Sequence, residues 1–452
     1  PLELHFPFEL DKQMSSTLWL TNETDSYIAF NVENMSPLSY CTQPQKAIVP
    51  PHSKCNVDIT LQLQGKSPGY MHRANELIVW STKVNDCLAV EDITRNMFIN
   101  EAVNVVDEVN LDVHFDASEL QEASKKFSEL QMDENITARS QLEHMLYDES
   151  AEPKPLPLSL LHHITSGFSD DKKIGYGGFA IVYKGMLGNG TIAVKKLLER
   201  FDIDENKFTE EIRCLMIAKH KNIVRFLGYC SDTQGEMLKF DGKLVFADLR
   251  QRLLCFEYLP KGSLDKQITD ASGGLQWGER YEIIKGICDG LNQLHIMHIV
   301  HLDLKPENIL LDNNMVPKIA DFCLSRNLDE KQSRFTTKNV YGTVGYLAPE
   351  FIRGGDITYK SDMYSLGIII TEITTGKKSD PDIENVLESW RNRLEKSKAD
   401  TQLLQVRVCT EIALECTESN PTRRPDIQDV INRLGATKSM DYSVTEIGAS
   451  SS

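Results

Sequence analysis

The sequence predicts a multidomain chain, with an all-β sandwich over residues 1–116 and a second domain of strands and helices beyond a proline-containing segment. The first observation behind this is alternation. Val57, Ile59, Leu61 and Leu63 interleave with Asn56, Asp58, Thr60 and Gln62, as a strand with one buried face requires. Ile28, Phe30 and Val32 repeat the pattern, as do Val109, Leu111, Val113 and Phe115. The second is turn chemistry at Asn22 to Ser26 and in Val49-Pro50-Pro51-His52-Ser53, which sets short strands at sandwich-like spacing. The third is a change of character over residues 117–157. Leu120, Ala123, Phe127 and Leu130 fall at helical spacing among Glu, Lys and Ser, so one short amphipathic helix is expected. A dimerising coiled coil needs at least about three heptads and is disfavoured. The Glu152-Pro153-Lys154-Pro155-Leu156-Pro157 run forbids a helix and reads as an extended linker.

Composition bounds the function. The chain has 452 residues, a formal net charge of −17, 41% hydrophobic and 25% charged residues. At roughly 100–200 residues per domain, this length suggests two to four domains. The acidic balance argues against general nucleic-acid binding, which requires a basic face. No apolar run approaches the ~18 residues of a membrane span. No charged-then-apolar leader opens the chain, and because Pro1 is not an initiator Met a missing N-terminal segment stays open. The ten Cys include no C-x-x-C pair and no metal spacing, so they read as reduced thiols of an intracellular protein. A membrane span, a disulfide scaffold and a disordered chain are thereby excluded.

The chemistry lies in the second domain. Ile174-Gly175-Tyr176-Gly177-Gly178-Phe179-Ala180-Ile181-Val182 is a glycine-rich turn between expected strands. Glycines let the backbone close over a polyphosphate and aim N–H groups at its oxygens. Alone, such a loop is more often an ordinary turn, and a lone strand Lys is usually a solvated edge residue. Here Ile192-Ala193-Val194-Lys195 follows, with Lys195 at the spacing of the lysine that contacts the α- and β-phosphates of ATP. The strongest segment is His301-Leu302-Asp303-Leu304-Lys305-Pro306-Glu307-Asn308, followed by Ile309-Leu310-Leu311. Asp321-Phe322-Cys323 begins eighteen residues after Asp303, and Ala348-Pro349-Glu350 comes further on. Phosphoryl transfer needs a carboxylate to orient the attacking hydroxyl and accept its proton. It also needs oxygen ligands for Mg²⁺ and a cation on the moving phosphoryl group. Asp303, then Asn308 with Asp321, then Lys305 provide these in the expected order.

Across roughly residues 160–436 these motifs resemble the eukaryotic protein kinases, and within them the plant receptor-like kinases. Leu160-Leu161, Ile164, Phe168-Ser169, Leu227-Gly228-Tyr229-Cys230 and Pro260-Lys261-Gly262-Ser263-Leu264 are similar to theirs, as is Gly342-Thr343-Val344-Gly345-Tyr346-Leu347-Ala348-Pro349-Glu350. The resemblance implies an α+β two-lobed fold with ATP in the cleft: an N-lobe over 158–259, a C-lobe over 260–436 and a flexible tail over 437–452. It assigns nucleotide binding to Ile174, Gly175, Gly177, Gly178, Val182, Ala193, Lys195, Glu211, Glu257 and Leu259. Glu211, on the amphipathic run of Phe208, Ile212 and Leu215, would pair with Lys195. Phe256 would be the gatekeeper, and Glu257 to Leu259 the hinge that meets the adenine through backbone groups. Asp303, Lys305 and Asn308 would be catalytic, with Asn308 and Asp321 on the metal. The implied cofactors are ATP and Mg²⁺, with Mn²⁺ as an alternative. Asp362 would brace the catalytic loop, and Arg424 of Asn420-Pro421-Thr422-Arg423-Arg424-Pro425 would pair with Glu350. Lys305 and Thr343, at the P+1 position, favour serine/threonine over tyrosine specificity.

Three departures stand out. Leu302 replaces the usual Arg beside the catalytic Asp, which argues against control by activation-loop phosphate, although Ser333, Thr336, Thr337 and Tyr341 lie there. Cys323 replaces a Gly, restricting a switch or leaving a thiol near the cleft. Ala180 replaces the third loop glycine. None of these removes a group that touches metal or phosphate. Between Met237-Leu238-Lys239-Phe240 and Leu244-Val245-Phe246, Asp241-Gly242 predicts an extended hairpin, either a docking surface or an inert elaboration.

Residues 1–116 resemble a major sperm protein (MSP) domain of the VAP type. The match rests on Phe6-Pro7-Phe8, Leu18-Trp19-Leu20-Thr21-Asn22, Ala29-Phe30-Asn31-Val32, Pro37, Tyr40-Cys41, Pro44, Ile48-Val49-Pro50-Pro51 and Ser81-Thr82-Lys83-Val84. It implies an immunoglobulin-like sandwich that binds proteins. In Asn31-Val32-Glu33-Asn34-Met35-Ser36, Glu33 stands where an acidic FFAT peptide wants a cation, so such a peptide is disfavoured as the partner. The resulting expectation is a cytoplasmic serine/threonine kinase acting on protein substrates in signalling, recruited to a membrane only through a partner. A non-catalytic adaptor with a retained kinase fold is the alternative. The intact set Lys195, Glu211, Asp303, Asn308 and Asp321 favours the enzyme.

Overall fold

The structure, a computed structural model, describes residues 2–6, 13–35, 40–61, 76–98, 106–115, 117–198, 205–240, 243–268, 274–328, 334–337, 340–378, 380–394 and 399–447. Pro7, Phe8, Ser36, Pro37, Gln62, Leu63, the Asp241-Gly242 turn and Ser333 lie outside them. The chain divides into two compact units, residues 1–139 with 233–250, and residues 140–232 with 251–452.

In the first unit, alternating sequences form β1 (Leu2–Phe6), β2 (Met14–Asn22), β3 (Tyr27–Asn34), β4 (Tyr40–Gln43), β5 (Lys46–Val49), β6 (Ser53–Leu61), β7 (Glu76–Val84) and β8 (Val106–Phe115). They make a five-stranded sheet, order β1-β8-β7-β3-β5, and a three-stranded sheet, order β2-β6-β4. Val57, Ile59 and Leu61 point inward with Phe6, Phe30, Leu77 and Leu111, while Asn56 and Asp58 face solvent. Burying one face of each strand is what drives the two sheets together. Val109 departs from the expected pattern: it is exposed although it pairs with Val79. Both predicted turns are tied by one buried side chain, because Asn22 Nδ2 donates to Ser26 O, Val49 O and Pro50 O.

The segment 117–157 differs from its expectation in two ways. The helix is not short: α1 runs Ala117–Met145, 29 residues, and Leu130 of its predicted apolar stripe is exposed. Its buried anchors are Leu142 and Met145 near the C-terminal end, which the spacing of the earlier apolar residues did not reveal. The proline run is not a free linker either. Lys154 and Pro155 form β9, which pairs in parallel with β13 (Phe226–Phe240).

The second unit starts from a six-stranded sheet in the order β10-β11-β12-β14-β13-β9, with β10 Lys173–Tyr176, β11 Ala180–Met186, β12 Thr191–Leu197 and β14 Lys243–Glu257. Strands β13 and β14, 15 residues each, are the expected long hairpin. Helices α2 (Leu158–Ile164) and α3 (Glu205–Ile217) accompany this sheet. The rest is mainly helical, with α4 (Trp277–Ile296), α5 (Pro349–Gly354), α6 (Tyr359–Thr375), α7 (Ile383–Arg391), α8 (Ala399–Cys416) and α9 (Ile427–Ile447). Short strands β15 (Gly262–Ser263), β16 (Ile299–Val300), β17 (Ile309–Leu311), β18 (Pro317–Ile319), β19 (Arg326–Asn327), β20 (Phe335–Thr336) and β21 (Asp356–Ile357) line the loops between them. One apolar core runs from Phe208 and Phe256 through Ile287 and Phe322 to Leu434, so the sheet and helices pack as two lobes of one body.

Candidate active site

The glycine-rich segment is the β10–β11 turn, closed by Gly177 N donating to Ala180 O at 2.9 Å. A Cβ at Gly178 would meet nothing within 4 Å, so no protein neighbour demands this glycine and the space beside it is open. Ile174, Tyr176 and Phe179 are exposed at the turn, whereas Ala180 is buried in β11. Pairing carries the turn to the lysine: Val182 stands opposite Lys195, and Ala193 opposite Phe256 of β14. Phe256 and Leu259 are buried, and the Phe256 ring packs 5.6 Å from that of Phe226.

Lys195 Nζ donates to Glu211 Oε1 of α3 and to Asp321 Oδ1, each at 2.8 Å. Lys195 and Glu211 are almost completely buried, while about a third of the Asp321 side chain reaches solvent. Burial opposes charge on each group, and mutual attraction decides the outcome. For Lys195 burial is the largest effect, yet the two carboxylates hold the ammonium well above its ordinary value. Asp321 is pushed up by burial but drawn well below the carboxylate range by Lys195. Glu211 goes the other way: burial raises it, and Lys195 offsets this incompletely.

Asp321, after β18, has φ 67°, and beyond the apolar strand β16 the loop turns sharply at Leu302, φ 69°, both in the left-handed region. Such strain persists where surrounding bonds over-determine it. Here Asp362, fully buried at the start of α6, supplies them. Its Oδ2 accepts from His301 N at 2.9 Å and pairs with His295 Nε2 at 3.1 Å, and its Oδ1 accepts from Leu302 N at 2.9 Å. His295 was not picked out by sequence reasoning. Its signal was a His in the last turn of α4, six residues before His301.

Asp303 is bonded on both oxygens. Lys305 Nζ donates to Oδ2 at 2.8 Å, Asn308 Nδ2 to Oδ2 at 3.0 Å, and Thr343 Oγ1 to Oδ1 at 2.8 Å. Lys305 also donates to Thr343 Oγ1 at 2.7 Å. Asn308 uses Nδ2 for both of its contacts with Asp303, so its Oδ1 is the oxygen left for a cation. With the partly exposed Asp321 carboxylate it makes two hard donors, which suits an ion that takes its remaining ligands from phosphate and water. Among the described residues no group of three or more His, Cys, Asp or Glu forms a metal site by itself.

The supporting residues also come together. Arg424, its side chain fully buried, bonds Glu350 through both nitrogens at 2.7 and 2.8 Å, and adds Glu418 O and Lys360 O. Leu302 packs with Val300, Leu328, Ala348, Phe351 and Ile357 and forms part of the wall of a cavity of about 180 Å³ that also contacts Lys207 and Arg326. The Cys323 thiol is pushed far up by burial and by the Asp321 carboxylate, to which it hydrogen-bonds. It is therefore held protonated rather than reactive. In the first unit Glu33 is not a free charge. Arg95 grips it, Nε to Oε1 at 2.9 Å and a second nitrogen to Oε2 at 3.1 Å, so the repulsion expected from a bare carboxylate is cancelled.

Comparison with known families agrees with this geometry. Residues 168–434 match the protein kinase domain, and residues 1–103 match the MSP (Major sperm protein) domain. Cysteine-rich receptor-like protein kinase 26 of Arabidopsis thaliana is 36% identical over 333 residues, 68% of this chain and 47% of the relative. The G-type lectin S-receptor-like serine/threonine-protein kinase RKS1 of the same plant is 36% identical over 310 residues, 64% of this chain and 35% of its own length. Cysteine-rich receptor-like protein kinase 6 of Oryza sativa subsp. japonica is 36% identical over 305 residues, 62% and 41% respectively. The chain thus spans less than half the length of these relatives. A protein kinase domain generally uses ATP and a divalent metal. No helix among the described residues is long and apolar enough to cross a membrane.

Proposed function

The chain belongs to the protein kinase family, and from that premise we propose that it transfers the γ-phosphoryl group of ATP to serine or threonine hydroxyls of proteins, with Mg²⁺ as the metal. The single observation that carries the reading is the bonding of Asp303. Lys305 and Asn308 hold its carboxylate, and Oδ1, which now accepts the Thr343 hydroxyl, is the atom that takes the proton of an incoming hydroxyl. Lys305, 2.8 Å from that carboxylate, would balance the charge of the moving phosphoryl group. Lys195, held by Glu211, steadies the α- and β-phosphates, while Gly175, Gly177 and Gly178 leave room for backbone N–H groups to approach them. Ile174, Val182, Ala193 and Leu259 would line the adenine, with backbone groups of Glu257 and Leu259 giving its hydrogen bonds. Mg²⁺, when bound, would be held by Asn308 and Asp321 and would draw charge off the phosphate oxygens.

The N-terminal sandwich serves to choose a protein partner. The Glu33–Arg95 pair removes the repulsion but presents no net positive charge to attract an acidic FFAT peptide, so another protein is the proposed partner. We place the activity in the cytoplasm, at a membrane only where that partner brings it.

The test is incorporation of phosphate from Mg-ATP by the purified chain, with Asp303→Asn as the control. The proton acceptor is worth roughly 10²–10⁴-fold, so the control should fall by at least that lower figure. Equal background incorporation by both proteins, with nucleotide binding intact, would sink the enzyme reading in favour of a docking scaffold.

A further inference from the structure

Residues 143–156 strap the N-lobe at four points. Glu143 Oε1 accepts from Gly188 N at 2.8 Å, and Glu143 O from Asn189 Nδ2 at 2.7 Å, which fixes the β11–β12 turn. Within it Met145 and Leu156 are buried, as is Leu142 just before it. β9 extends the sheet beside β13, and Leu156 N donates to Tyr229 O at 2.7 Å. The approach is so close that a Cβ on Gly228 would lie 2.3 Å from Lys154 O. The Lys219–Glu152 pair is half exposed or more on both sides and adds little.

The fourth point is Arg225, just before β13. Its guanidinium donates to Met145 O, at the last residue of α1, and to Asp148 O, which also accepts from Ala151 N, both at 2.5 Å. Its backbone is bonded to the nucleotide cleft. Glu257 N donates to Arg225 O at 3.0 Å, and Arg225 N donates to Glu257 Oε1 at 2.8 Å. Lys318 Nζ reaches the same Glu257 oxygen at 2.8 Å. One residue therefore grips the strap with its side chain and the expected adenine-binding hinge with its main chain.

We propose that Arg225 is a positioning residue of the nucleotide cleft, through which the 143–156 strap sets the placement of Glu257 and hence the affinity for nucleotide. The inference rests on the kinase reading. A fork-shaped guanidinium spans two carbonyls in one geometry, whereas an ammonium satisfies them as a point charge without that planar constraint. Loosening the strap lets the start of β13 shift, and Glu257 with it, while Asp303, Lys305 and Thr343 keep their own bonds.

The experiment measures ADP binding with Mg²⁺ by calorimetry, and steady-state phosphorylation, on the full chain and on Arg225→Ala, Arg225→Lys and Gly228→Ala. Charge-assisted bonds of this kind translate, when partly transmitted, into roughly three- to tenfold weaker ADP binding and a matching rise in KM for ATP in Arg225→Ala and Gly228→Ala. Turnover at saturating ATP should stay within about twofold, and Arg225→Lys should fall between the parent and Arg225→Ala. Unchanged ADP affinity and KM in both Arg225→Ala and Gly228→Ala, with only melting temperature lowered, would overturn the proposal. So would a loss of kcat at constant KM. Failure of the unaltered chain to bind ADP would remove the kinase reading itself, and is told apart because it appears before any substitution.

Discussion

Lys195 Nζ and Asp321 Oδ1 are 2.8 Å apart across 126 residues of sequence, which ties the N-lobe sheet to the loop that follows β18. With Glu211 as the third member, the same ammonium answers two buried or part-buried carboxylates.

Replacing Lys195 by Met should lower phosphorylation by roughly 10²-fold, because a charge aimed at the phosphates is lost. It should also expose the cost of burying Glu211. That carboxyl is already raised by burial above its ordinary 4.5 and rises further without the cation. A carboxyl raised in the folded state contributes stability below its unfolded value and loses it as pH climbs through the folded one. The variant's deficit, about 1–3 kcal/mol after allowing for the part-exposed Asp321, should be full near neutrality and shrink toward about pH 5. Thermal melts across that range check it, and a deficit that grows toward acid would contradict it.

Glu350→Ala should destabilise the second unit by about 2–4 kcal/mol, since Arg424 would keep two carbonyl partners but lose its counter-charge in a buried setting. Glu350→Gln, able to accept one bond, should cost less. The shift in denaturant midpoint at constant slope reads both.

Native thiol titration should label the exposed Cys41 and Cys87 first. Cys323 should react slowly even at about pH 8, because burial and Asp321 hold its thiol protonated. Fast modification of Cys323 followed by loss of nucleotide binding would show the opposite.

Thr336→Ala, Thr337→Ala and Tyr341→Phe should each retain at least about half of the parent activity. Leu302 in the wall of the neighbouring cavity offers a phosphate no charge, and of the two cations that line it Arg326 already donates to Leu324 O and Ser325 O. The Lys207 ammonium already sits 5.1 Å from the Tyr341 ring centre. An obligatory phosphate would appear as loss of activity in one of these variants and its recovery with an acidic replacement.

Much of the molecule was legible in one dimension because its signals are local. Alternation in Val57, Ile59 and Leu61 stated which face of β6 is buried. The order Asp303, Lys305, Asn308, Asp321 pointed to the proposed chemistry, and the structure brings Lys305 and Asn308 onto Asp303. The length of α1 was missed because its anchors, Leu142 and Met145, lie past the apolar stripe that the spacing picked out. The docking of 143–156 was missed because a proline run forbids a helix but does not forbid a two-residue parallel strand at a sheet edge.

By itself, the sequence determined most of the elements, α1's length and β9 excepted, and which reactive groups the chain carries, since both depend on neighbours a few residues away. Tertiary structure alone decided that Arg95 neutralises Glu33 and that Asp362 braces a strained loop 60 residues upstream. It alone put the side chain of Arg225 on the strap and its backbone on Glu257. Those pairings arise from packing between distant segments, where register and burial, rather than residue type, choose which polar group meets which.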